Sequence, residues 1–143
     1  MFPDKARTVR SANALLAILC IAPVVYIIIA AELALGGRGF AGNPGIVPLL
    51  LPALVGVSIA NIGTMILLQM RWQPMAGKAQ YDPVTRVYLI VSMGAILSEA
   101  HSIYGLILTL LSGSIFYVIG FTLVTWVSLL WVRERFKRNL ANI

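Results

Sequence analysis

The chain is poor in the residues from which soluble active sites and secreted scaffolds are built. It has one cysteine, Cys20, and one histidine, His101, among 143 residues. One cysteine excludes an intrachain disulfide and a multi-cysteine metal site. Metal binding would leave His101 without fellow ligands, so neither metal nor cofactor is expected. Only 11% of the residues are charged and only five are acidic, against about 25% charged in a soluble domain. With 59% hydrophobic residues, too little polar surface remains to cover a water-soluble globule. P-loop, Rossmann and zinc-protease signatures are missing from the sequence. The chain is not expected to be an enzyme by itself.

What is present is apolar runs long enough to cross a bilayer, which takes roughly 20 residues for a hydrocarbon core of about 30 Å. Four runs qualify: about Ala12 to Leu35, Ile46 to Met70, Val87 to Leu111 and Ser114 to Val132. Each should be a helix, because lipid offers no partner to an unpaired backbone group. The expected fold is an all-α integral membrane protein, a single four-helix domain over residues 1–143.

Charge sets the expected orientation. Of the 11 Lys and Arg residues, Lys5, Arg7, Arg10, Arg71, Lys78, Arg86, Arg133, Arg135, Lys137 and Arg138 fall on one side, and Arg38 alone on the other. Positive residues stay inside, so both termini and the middle loop should be cytoplasmic, in the cytoplasmic (inner) membrane. The net charge of +6 therefore faces anionic headgroups, and no nucleic-acid partner is expected. The first apolar run is too long for the h-region of a signal peptide and reads as a retained helix.

Small residues mark the expected packing faces, because close approach replaces the hydrophobic drive between helices in lipid. On the third helix Gly94, Ser98, His101, Gly105, Thr109 and Ser112 fall within an arc of about 80° at 100° per residue. The second helix carries Ala53, Gly56, Ala60, Gly63 and Leu67. These stripes predict a central antiparallel hairpin of helices two and three, seamed at Gly56, Ala60, Gly63, Gly94, Ser98, His101 and Gly105. Helix four, with few small residues and many aromatics, is expected at the periphery. Pro23 should kink helix one unless a neighbour satisfies the freed carbonyl.

Glu99 stands apart from the other acids. It lies at the middle of the third run, where a charge costs at least about 2.5–3.5 kcal/mol on insertion scales. The remedies are protonation, a buried partner or a bound cation. Its direction is about 120° from the small-residue arc, toward lipid, another helix or another subunit. Ser102 is its nearest same-helix partner, and counting depth along helix two selects Ser58 and Asn61. Glu99, Ser102, Ser58 and Asn61 are the candidate ion-binding residues.

The run Glu99-Ala100-His101-Ser102-Ile103-Tyr104-Gly105-Leu106-Ile107 resembles the ion-carrying helix of rotary ATPase proteolipids, the c subunits of F-type enzymes and their vacuolar and archaeal relatives. Gln80-Tyr81-Asp82-Pro83 is loosely similar to the polar loop of their hairpins. The resemblance covers about Gly56 to Leu111. It implies a proton or sodium ion carried on Glu99, a homo-oligomeric ring or other membrane subunits as partners, and a place in an ATPase or ATP synthase. Two further readings remain open: a structural or accessory subunit of a larger membrane complex, and a small exporter similar to multidrug-resistance proteins of this length.

Cysteine labelling checks the orientation. In a Cys20→Ser background, an impermeant thiol reagent outside intact cells should label Arg38→Cys and spare Lys78→Cys; the reverse pattern would invert the topology.

Overall fold

The computed structural model describes residues 5–35, 42–70 and 82–142. Four α-helices make up almost all of this: α1 (Lys5–Leu35), α2 (Val47–Met70), α3 (Pro83–Ser112) and α4 (Phe116–Ala141). All four are long and apolar enough to cross a membrane. They overrun the apolar stretches at their polar ends, α1 back to Lys5 and α4 on to Ala141. Hydropathy marks the part of a helix that suits lipid, whereas the backbone ladder continues until a residue stops it. The expected polar loop, including Gln80 and Tyr81, and Arg38 lie outside the described residues.

Local chemistry fixes the ends of α3. Asp82 accepts from the Val84 amide at 3.2 Å, and Pro83, which has no amide to leave unpaired, follows it. At the far end Gly113 adopts φ 74°, and its amide donates to the Thr109 carbonyl at 2.9 Å. The turn to α4 is so short that α4 has no side-chain cap of its own. Its Val118 amide donates instead to the Thr109 hydroxyl of α3, at 3.0 Å. Before α2, Asn43 closes a one-turn 3₁₀ segment, Pro44–Ile46, by accepting from the Gly45 amide. Gly42 lies so close to the Leu110–Leu111 backbone that a Cβ would collide with it.

Helix α3 touches α1, α2 and α4, and its broadest contact is with α4. The buried positions explain why. On α3 they include Val84, Val87, Val91, Gly94, Ser98, His101, Gly105 and Leu108, stepping by three and four. On α4 Val118, Thr122, Thr125, Leu129, Val132 and Phe136 are buried, with the same alternation. Such stripes are the signature of antiparallel knobs-into-holes packing. Gly105 is where the two backbones come closest. A Cβ there would stand 2.7 Å from the Phe121 Cβ, 2.8 Å from the Tyr117 carbonyl oxygen and 3.0 Å from the Val118 Cα.

Two packing expectations are corrected by this arrangement. Helix α4 is no peripheral helix; it is the main partner of α3. The small stripe of α2 is also not the seam: nothing lies within 4 Å of where a Cβ would sit on Gly56 or Gly63, and Ala60 is exposed. Helix α2 does run antiparallel to α3, but it approaches with Ser58, Met65 and Gln69, its buried side chains beyond Val47. Gly94, Ser98, His101 and Gly105 are buried as the third helix's stripe predicts. Their face forms a floor between α2 and α4, with Gly94 meeting Val132 and Gln69.

Helix α1 stays helical through the buried Pro23. Proline disturbs the carbonyls of the preceding turn, and there the Cys20 carbonyl accepts from the Trp126 indole of α4 at 3.1 Å.

Gly105→Ala should destabilise the protein by about 1–3 kcal/mol through overpacking, while Gly63→Ala should be neutral within about 0.5 kcal/mol. Unfolding in mixed micelles measures both; equal tolerance would mean that the α3–α4 approach is looser than described.

Candidate functional site

Glu99 is 8% exposed. Both of its carboxyl oxygens are buried and form no hydrogen bond among the described residues. Helix α3 turns this side chain away from the α4 seam and toward α1. There the Tyr26 phenol is its polar neighbour, near enough for electrostatic interaction but without a hydrogen bond of normal geometry. A carboxyl so placed has few ways to be stable: it keeps its proton, it takes a bond from the Tyr26 hydroxyl after a small side-chain rotation, or it binds a cation.

The other three candidate ion-binding residues are committed elsewhere. The Ser102 hydroxyl shares a 2.6 Å hydrogen bond with Thr125 of α4. The Asn61 side-chain amide donates to the Tyr104 hydroxyl at 3.2 Å. Ser58 offers its carbonyl to the His101 Nε2 at 3.3 Å, while its own hydroxyl is buried without a partner among the described residues. The structure therefore does not gather Ser58, Asn61 and Ser102 around Glu99. Depth places Ser58 level with Glu99, but the rotation of α3 puts the two on different faces.

A second polar cluster occupies the α3–α4 seam. The Thr125 hydroxyl, fully buried, reaches the Ser98 carbonyl at 3.0 Å and its own helix's Phe121 carbonyl at 3.2 Å, besides meeting Ser102. The Ser98 hydroxyl donates to the Gly94 carbonyl at 2.8 Å, with the Met65 sulfur 3.5 Å away. His101 is 1% exposed, its Nδ1 2.9 Å from the Ser98 carbonyl and its Nε2 facing that of Ser58. A neutral imidazole donates through one nitrogen only, so one of the two carbonyls receives the bond. These contacts tie α2, α3 and α4 together at the depth of Glu99.

Reading the sequence missed Tyr26 and Thr125. Tyr26 lies 16 residues beyond Arg10 and Glu99 13 beyond Arg86, a depth difference of about 4–5 Å at 1.5 Å per residue. Counting along helix one would have found it. Thr125 was signalled by its place in the stepping stripe of α4. Among the described residues, no three His, Cys, Asp or Glu side chains are grouped to hold a metal ion.

Comparison with protein-family models, with curated proteins and with solved structures found no match to this chain. The functional reading rests on the chain's own geometry.

Thr125→Val leaves the Ser102 hydroxyl without its α4 partner and should cost about 1–2 kcal/mol. Adding Ser102→Ala should cost little more, giving a coupling of roughly 0.5–1.5 kcal/mol in a double-mutant cycle. Strict additivity would show that the 2.6 Å contact carries no net energy.

Proposed function

We propose that this is a proteolipid-like subunit of the cytoplasmic membrane, with both termini cytoplasmic, whose mid-membrane Glu99 carries a proton or a sodium ion. The observation that supports it is a buried carboxyl at mid-span, both oxygens free of hydrogen bonds among the described residues. Ionisable groups at that depth mark ion paths and relays. Neutral and ion-bound forms are both accessible to such a group, and exchange between them is the elementary step of a carrier. Tyr26 supplies a hydroxyl that donates to the carboxylate or helps coordinate a cation. The resemblance of the Glu99–Ile107 run to rotary ATPase proteolipids suggests a ring of copies, or a mixed membrane assembly, as the setting for that exchange.

A second reading draws on the same enclosure. Glu99 is covered by helices of its own chain, whereas a carrier hands its ion to a partner subunit. This favours a fixed accessory subunit in which Glu99 is a protonated contact between α1 and α3. The mass of the intact detergent-extracted complex separates the two: many copies of this chain support the ring, a heteromeric assembly the accessory subunit, and a dimer the exporter.

A hydrophobic carbodiimide reacts with protonated carboxyls in apolar surroundings. It should add once per chain, at Glu99, and not to Glu99→Gln. Glu99→Gln should fold normally and stop ion movement by the assembly. Ion movement at the wild-type rate in that variant would reduce Glu99 to a structural contact.

A further inference from the structure

Away from Glu99, a groove of about 680 Å³ runs between α1 and α4, walled by Leu16, Ala17, Cys20, Trp126, Leu129 and Leu130. The Trp126–Cys20 hydrogen bond crosses between the two helices within it. Toward the N-terminus of α1 and the C-terminus of α4 the groove is bordered by Asn13 and Arg133. Asn13 also borders a second hollow, of about 650 Å³, that carries Lys5 and Arg10. The two hollows adjoin at Asn13, and together they make a channel-like surface, apolar along the trough and cationic at its mouth. Among the described residues, no acidic one borders either. Among the described residues the ion pair at this end is Lys137–Glu134; Arg133 lies near enough to Glu134 to interact through space without pairing with it.

The dimensions match one leaflet. From Arg10 to Cys20 is ten residues of helix, or about 15 Å, half of a hydrocarbon core of about 30 Å. Leu130 is 60% exposed, so the groove is reachable from the bilayer. A peptide helix would not use the asymmetry of an apolar trough capped by cations and an amide. An acyl chain under a phosphate does.

We propose that this channel binds an anionic glycerophospholipid, its phosphate held by Lys5, Arg10 and Arg133, Asn13 at the glycerol level, and one acyl chain lying along Leu16, Ala17 and Leu129 toward Trp126. The proposal rests on the membrane reading of the helices and is independent of any role for Glu99. A zwitterionic lipid satisfies the trough but gains little at the mouth, so headgroup charge decides occupancy.

The test is native mass spectrometry of the full chain, released from detergent containing equal phosphatidylglycerol and phosphatidylcholine. Phosphatidylglycerol should be retained at least about tenfold over phosphatidylcholine, given the pull of each basic residue near an anionic headgroup. Arg10→Gln with Arg133→Gln should bring that ratio near one. Arg7→Gln with Arg138→Gln removes the same charge from the same end, outside the channel, and should preserve it. Ala17→Trp, which fills the trough and leaves every charge in place, should lower retention of both lipids. Equal retention by the wild type overturns the proposal, as does loss of preference in the Arg7/Arg138 control, which would mean diffuse attraction. Displacement of the lipid by inorganic phosphate, with Ala17→Trp without effect, would also overturn it in favour of a free-anion site.

Discussion

How closely α3 and α4 can approach at Gly105 governs the rest of the bundle. Between helices in lipid there is no water to expel, so association depends on contact between well-fitted surfaces and on hydrogen bonds across them. Gly105 presents bare backbone to the Tyr117–Phe121 turn of α4. That approach brings the Thr109 hydroxyl within reach of the Val118 amide and the Ser102 hydroxyl within reach of Thr125. The two alternating stripes then run in register to Phe136. Helices α1 and α2 occupy the faces of α3 that this seam leaves open, α2 with Ser58, Met65 and Gln69 and α1 with the turn around Tyr26.

Against that background Glu99 is conspicuous by its poor satisfaction. Ser98, Ser102, Thr109 and Thr125, in the same two helices, have hydrogen-bond partners, whereas the Thr122 hydroxyl, like Glu99, has none among the described residues. Glu99, more costly to bury than any of them, has none among the described residues. Buried polar groups are ordinarily paired, and exceptions point to strain, chemistry or an absent ligand. Its placement between α1 and α3 keeps the carboxyl out of the tight α3–α4 seam.

The helices themselves were readable because crossing a bilayer imposes a length of apolar chain that hydropathy detects directly. The small-residue face of α3 was readable too, since Gly94, Ser98, His101 and Gly105 repeat at helical spacing. Their partner was not. Gly56 and Gly63 allow close approach but do not compel it, and in a helix that is apolar all round no polar face points outward to fix its rotation. The stripe of α4 was masked for the same reason: Thr122 and Thr125 sit among exposed Leu123, Val124 and Val127, so burial does not follow hydrophobicity. Glu99's depth followed from arithmetic along one helix. Its neighbour depended on which helix lay opposite, a matter of packing that single-helix geometry does not contain.

The borrowed cap of α4 bears on how α3 and α4 hold together. A helix that starts without its own cap leaves amides exposed in its first turn, and in hydrocarbon each exposed amide is costly. Helix α4 meets this need with the Thr109 hydroxyl, which exists at the right place only when α3 stands beside it. The two segments therefore act as one unit, a pair joined by the Gly113 turn. Thr109 thus completes the first turn of a helix other than its own, so the start of α4 depends on α3 standing beside it.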